Sequence, residues 1–170
     1  MGYKASFEEV NKIFDQLQSE YEIWAPKRFV GKGRYSDTDI IKYDKVSKVE
    51  EIEFAEKSDY PAKEVLSPVT QSLFYFTEDE YRESKATSKK LLIFMRPCDI
   101  NAQHHQEKIY LENGGFADMY YKRMNEKVKI VMMECTEGWD TCFCVSMGSN
   151  KSEDYAMAVR VGEGELTVDV

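Results

Sequence analysis

The chain has 170 residues, 42% hydrophobic and 13% aromatic, which suits one compact domain with its own core and excludes a disordered chain. Its 23 Lys and Arg against 31 Asp and Glu give a net charge of −8, which argues against a nucleic-acid or anionic-membrane surface as the general role. No stretch approaches the roughly 20 apolar residues of a membrane-spanning helix. The opening Met1-Gly2-Tyr3-Lys4-Ala5-Ser6-Phe7 also lacks the apolar core of a secretory signal, so a cytoplasmic chain is expected. In that compartment cysteines serve as ligands or redox groups more readily than as disulfides.

Val10, Ile13, Phe14, Leu17, Tyr21 and Trp24 form one apolar stripe that predicts a helix over 6–25, capped by Ser6 and ended at Pro26. Arg28 to Gly33 reads as a strand and turn. Gly31 and Gly33 lack the Gly-Lys-Ser/Thr ending of a phosphate loop, so a plain turn is expected. Asp39 to Val46 and Ile52 to Ala55 read as further strands, and Ser67-Pro68 as the start of a second helix. The continuous apolar run Lys90 to Met95 has the pattern of a strand buried on both faces. Asp99 is expected to cap a helix over Ile100 to Leu111, stopped at Asn113-Gly114-Gly115. A short helix, Asp118 to Glu126, leads into a second buried run, Val128 to Met133. Asp154 to Val161 and Glu165 to Val168 read as a terminal hairpin.

Two buried strands separated by helical pattern form a βαβ unit, so they pair in parallel and end on the same edge of the sheet. The expected fold is α/β, with α+β as the alternative: a mixed sheet with a central parallel pair, flanking helices and the C-terminal hairpin. Each of the two strands is followed by a cysteine, Cys98 and Cys135. Open α/β sheets place their ligands along that edge. In an extended Cys142-Phe143-Cys144 segment both thiols would point one way, with Phe143 opposite in the core.

All four cysteines of the chain thus form one potential tetrathiolate set. Three readings of the spacing stay open. The cysteines are small buried apolar residues; or they bind a structural zinc, although Cys-x36-Cys-x6-Cys-x-Cys departs from the paired knuckles zinc favours; or they hold an iron–sulfur cluster, which tolerates diverse spacings. A disulfide exchanger would carry Cys-x-x-Cys, which is absent.

Three segments carry a family likeness: Arg96-Pro97-Cys98-Asp99-Ile100-Asn101-Ala102, Phe116 to Arg123, and Glu134-Cys135 leading to Cys142-Phe143-Cys144-Val145-Ser146-Met147-Gly148. With Pro61 to Pro68 and Phe74-Tyr75-Phe76 they resemble the A subunit of anaerobic sulfite reductase, over roughly residues 60–161. The β subunit of soluble sulfhydrogenases has a similar pattern. The resemblance implies one [4Fe–4S] cluster bound by Cys98, Cys135, Cys142 and Cys144. It also implies an electron-transfer subunit without a catalytic site of its own. Electrons would pass from a flavin/NAD(P)H subunit toward a sirohaem subunit that reduces sulfite to sulfide. A soluble hydrogenase is the alternative complex, and a zinc-bound or metal-free interaction module within an oxidoreductase is the alternative role. Aerobic purification can leave such a site empty or zinc-filled. Family members continue into a ferredoxin-like region with two further cluster motifs that this sequence lacks, so residues 1–170 are expected to form a single iron–sulfur domain.

Arg96 and Asp99 flank Cys98. Arg96 could offset a cluster's negative charge from beyond its ligands, or sit in a surface salt bridge; Asp99 could share in that role, or be only a helix cap. His104 and His105 face about 100° apart on their helix, so both cannot reach one metal, and a solvated face is expected. Trp139, Phe143 and Tyr120-Tyr121 could shield a cluster or dock a partner; core packing is the expected reading of Phe143, and Trp139 is the better docking candidate. Lys63 could meet a partner or an anionic cofactor, or remain solvated. Glu50-Glu51 and Glu78-Asp79-Glu80 read as solvated faces or helix starts. No nucleophile–base arrangement and no nucleotide fingerprint is present.

Overall fold

Ser6 does open the first helix. Its side chain accepts from the Glu9 N–H while the Glu9 carboxylate accepts from the Ser6 N–H, a reciprocal capping box. The computed structural model describes residues 2–84 and 87–170. Within them the chain runs β1 (Gly2–Ser6), α1 (Phe7–Leu17), β2 (Tyr21–Phe29), β3 (Ile40–Lys45) and α2 (Lys63–Leu66). It continues through β4 (Phe74–Phe76), β5 (Tyr81–Glu83), β6 (Lys90–Met95), α3 (Pro97–Leu111), α4 (Met119–Asn125) and β7 (Val128–Met133). It ends with β8 (Met157–Val161) and β9 (Glu165–Asp169).

Seven strands form one mixed sheet in the order β1-β9-β8-β7-β6-β2-β3. The α/β class and the parallel pairing of β6 with β7 agree with the sequence pattern. The parallel core is wider than a pair: β2, β6, β7 and β8 all run the same way, with antiparallel β3 at one edge and β9-β1 at the other. The terminal hairpin is therefore part of the main sheet, its first strand locked beside β7.

Strict alternation along β6 divides the core in two. Leu92 and Phe94 face α1, where Phe94 meets Phe14 edge-on at 6.0 Å between ring centroids. Leu91, Ile93 and Met95 face α2, α3 and α4, among Leu66, Ile100 and Tyr121. The sheet is the middle of three layers.

Four expectations about local structure give way to tertiary context. The first helix stops at Leu17 and Tyr21 to Phe29 is a strand, because Tyr21 to Trp24 pair with Lys90 to Ile93 of β6. Pro26 is accommodated beyond that parallel ladder, where β2 ladders with β3 alone and the Pro26 carbonyl accepts from the Glu53 N–H at 2.7 Å. Ile52 to Ala55 is irregular and follows a short 3₁₀ turn at Val49–Glu51. Ser67-Pro68 ends α2 instead of starting a helix, and Phe74–Phe76 is a short strand of a separate hairpin with its aromatic residues exposed. Pro97 is the first residue of α3, so Arg96 takes the N-cap position without a side-chain cap bond and Asp99 lies in the first turn. Glu50-Glu51 fall in the first turn of the Val49–Glu51 3₁₀ helix, one of the two expected readings, and Glu51 is half-buried. Burial opposes its ionisation, yet the Ser47 and Lys48 N–H groups and the Lys27 ammonium hold it down at about 2.

The buried fraction separates positions that composition cannot. Ile93, wholly buried in the sheet centre, should cost about 3 kcal/mol when cut to Ala. Phe76→Ala, on a residue 83% exposed, should stay within about 0.5 kcal/mol. Urea unfolding of the two variants checks this, and equal losses would contradict the placement of both strands.

Candidate metal centre

The parallel core delivers two thiols to one place. Met95 lies opposite Met132 in the β6–β7 ladder, so the two strands finish within one residue of each other. Three residues after each of those positions come Cys98, in the first turn of α3, and Cys135, on the loop past β7. Cys142 and Cys144 come from the irregular stretch between Glu134 and Met157. All four cysteines line one cavity of about 430 Å³. They are free thiols; Cys98, Cys135 and Cys142 are exposed and Cys144 is half-buried.

The cysteine loop is built of turns, and the expected extended Cys-Phe-Cys segment is corrected accordingly. The Cys142 N–H donates to Trp139 O at 2.8 Å, Met147 N–H to Phe143 O at 3.2 Å and Ser149 N–H to Cys144 O at 2.9 Å. A turn does not alternate its side chains, so Phe143 joins both thiols on the cavity wall and is 70% exposed, not in the core. The Asn101 amide, one turn along α3 from Cys98, fastens the far end of the loop. Its Nδ2 donates to Pro97 O at 2.8 Å, Lys151 O at 2.8 Å and Ser149 O at 3.3 Å.

Arg96 is 6% exposed and ties the site to the rest of the fold. One guanidinium nitrogen donates to Phe54 O at 2.9 Å and Glu56 O at 3.1 Å, and the other to Cys135 Sγ at 3.3 Å. The Trp139 ring covers the guanidinium at 4.5 Å. Arg96 is therefore a buried anchor and not a surface ion pair, and Trp139 is engaged by it. Arg28 holds the same 53–56 segment from the other side through Glu53 at 3.0 Å and Glu56 at 2.7 Å.

Cys98 opens to solvent on one side, yet burial of its sulfur pushes the thiol up from 9.0 to about 11. The negative charges of Asp99, Cys135 and Cys144 add to the rise, and a hydrogen bond from the Asp99 N–H opposes it. Cys98 thus shares the site's charge with Cys135 and Cys144. Asp99 is raised as well, by burial, although Tyr43 Oη donates to its carboxylate at 3.4 Å and Arg96 lies near. The Tyr43 phenol is pushed far up by burial and then by the Asp99 charge.

The histidines lie elsewhere: His104 faces Glu107 at 3.3 Å and Asp154 at 3.4 Å, and neither histidine lines the thiol cavity. Lys63 is exposed on α2, and Tyr121 is buried against Tyr110. The sequence reading missed Tyr43 and Lys57 to Pro61, which complete the cavity wall. Asp59 pins that segment along β3, accepting from the Ile41 N–H at 2.8 Å and donating its own N–H to Ile41 O at 2.7 Å. Asn101 stood in plain view among the motif residues, but its role appears only once the loop folds back onto α3.

Among the described residues, no group of three or more His, Cys, Asp or Glu side chains is arranged about a single ion position. The donor set nonetheless fits a thiolate-ligated group: four cysteines around a cavity of multi-atom size, with a guanidinium and a helix N-terminus supplying positive charge.

Arg96→Ala leaves two carbonyls and the Cys135 thiol without their donor and opens space beneath Trp139. It should lower stability by about 3 kcal/mol in urea and red-shift tryptophan emission. Arg96→Lys should recover less than half, because an ammonium cannot span all three acceptors. Wild-type behaviour of both variants would show that the guanidinium does not hold the site.

Because Cys98 is raised in the folded state, its neutral thiol contributes stability to the metal-free chain in full below pH 9.0; that contribution is lost as pH climbs through about 11. Urea midpoints of metal-free protein should fall across that window, and fall less in Cys98→Ser. Matching slopes would count against the buried sulfur.

Among the described residues no helix is long and apolar enough to cross a membrane. Compared with protein-family models, with curated proteins and with solved structures, the chain matches none.

Proposed function

We propose that the chain is a one-electron transfer component of a cytoplasmic anaerobic sulfite reductase, with a single [4Fe–4S] cluster held by Cys98, Cys135, Cys142 and Cys144. It would receive electrons from a flavin/NAD(P)H subunit and pass them toward a sirohaem subunit. One observation carries the reading: every cysteine in the chain, drawn from a helix start, a strand exit and a loop, borders the same cavity. The family likeness of the Arg-Pro-Cys-Asp and Cys-Phe-Cys-Val-Ser-Met-Gly segments supplies the sulfite reductase context.

When bound, the cluster supplies a site that gains and loses one electron with little movement of its ligands. The chain's own residues do the rest. Cys98 sits at the positive end of α3, which favours its thiolate once a cation removes the burial penalty. Arg96 donates to Cys135 Sγ and sets a positive charge beside an anionic group, which raises its potential. Trp139 and Phe143 line the cavity wall.

Anaerobic reconstitution with ferrous iron and sulfide should give the broad visible absorbance and, on reduction, the paramagnetic resonance of a [4Fe–4S] cluster. Iron and acid-labile sulfide should appear in equal amounts. Cys142→Ser should lose most of this signal while keeping the fold by circular dichroism. Zinc that binds tightly, with no cluster under any anaerobic condition, would make the chain a metal-stabilised interaction module instead.

A further inference from the structure

The thiol cavity has a second side. Cys135 and Cys144, with Glu137 and Gly138, also line a separate cavity of about 590 Å³ on the flank of the same loop. These two cysteines are a thin wall between the candidate metal centre and the surface. The same loop exposes Phe143, which lines the thiol cavity, Val145, which lines the flank cavity, and Met147, 70%, 75% and 69% exposed, with Met147 one turn beyond Phe143. Three large apolar side chains so close together on one exposed loop exceed ordinary scatter.

Charge tells what could cover them. From Glu134 to Asp154 the chain has five acidic residues and one basic residue, Lys151. Glu134 is matched by Arg160, and Asp154 faces His104. Glu137, Asp140 and Glu153 have no ion pair among the described residues. Glu137 and Glu153 border the flank cavity together with the two thiols and Val145. Lys151 and Arg160 line the same cavity, Arg160 being taken up by Glu134, so the loop carries the three unpaired carboxylates against the one ammonium of Lys151.

We infer that this face of the cysteine loop docks a soluble redox protein whose own small apolar centre is ringed by Lys and Arg. The inference rests on the electron-transfer reading and adds the docking face and the partner's charge. Transient redox encounters use small interfaces, in which charge complementarity sets the association rate and the apolar centre sets the fit. A second copy of this chain would bring acid against acid, and nucleic acid would do the same.

The field that a reagent meets on approaching across the loop, outside the buried Arg96, can be read without any cluster. Metal-free protein should be modified at its cysteines faster by the cationic trimethylammonium-ethyl methanethiosulfonate than by its anionic sulfonato-ethyl counterpart, by about tenfold at low ionic strength. High salt should collapse that ratio. An Asp140→Lys/Glu153→Lys variant should lose it at any salt. Equal rates in the wild type, or faster reaction with the anionic reagent, overturn the inference.

The docking part is read on reconstituted, reduced protein with ferric cytochrome c, a basic haem protein, as probe. One electron leaves the cluster and reduces the haem iron from ferric to ferrous. The second-order rate should fall about tenfold in Asp140→Lys/Glu153→Lys and several-fold in Val145→Ser/Met147→Ser, with the cluster spectrum unchanged. An acidic flavodoxin should react more slowly and speed up with salt. Rates indifferent to both variants overturn the docking face. A chain that keeps the cationic preference but assembles no cluster overturns the electron-transfer reading instead, so the two failures are distinct.

Discussion

Parallel pairing of β6 with β7 is the constraint from which the site follows. In an antiparallel pair Met95 and Met132 would sit at strand ends leading in opposite directions, and Cys98 and Cys135 would leave the sheet on opposite edges. The parallel ladder makes them leave together, and the intervening α3 and α4 bury the same face that carries Leu91, Ile93 and Met95. The packing that stabilises the crossover thus also gathers the thiols. β2 extends the same ladder, and β3 beside it brings Tyr43 and the Lys57–Pro61 segment to close the cavity.

Arg96 converts that edge into an enclosed site. A guanidinium this buried is costly unless its donors are used, and here two carbonyls, a thiol and an indole face use them. Three separate pieces of chain meet on it: the 53–56 segment, the strand exit at Cys135 and the loop at Trp139. The same group that fixes the geometry also sets the electrostatics, since it places positive charge against a sulfur that must become a thiolate to bind metal. Asp99 works against it. Its raised carboxyl and the Tyr43 phenol form a buried pair behind Cys98, so this side of the cavity favours protonated groups when no cation is present.

Much of this was legible because the two buried strands announce themselves. Lys90 to Met95 and Val128 to Met133 are continuous apolar runs, and the helical spacing between them forces the parallel arrangement that puts Cys98 and Cys135 together. Local signals served less well where partners far along the chain decide. Tyr21 to Trp24 continues a helical stripe, yet a ladder with β6, 69 residues further on, makes it a strand. Phe143 looks like core in an extended segment, but bonds from Cys142 and Met147 turn the chain and expose it. Asn101 and Asp59 have no signature of their own. Each acts by bonding backbone that lies many positions away, and no spacing rule contains that information.

The cysteine loop and the scaffold differ in what holds them. β6 and β7 are fixed by ladders and two buried faces, and Cys98 and Cys135 hang from their ends. Between Glu134 and Met157 there is no regular element, and the loop rests on a few turn bonds, the Asn101 amide and the Arg96–Trp139 contact. Of the four candidate ligands, Cys98 therefore stands in a helix, Cys135 lies two residues past a strand end, and two sit farther along a weakly held loop. Binding a thiolate-ligated group would close that loop against the scaffold, so part of the binding free energy becomes ordering of the loop. The exposed Phe143, Val145 and Met147 are carried by this same segment.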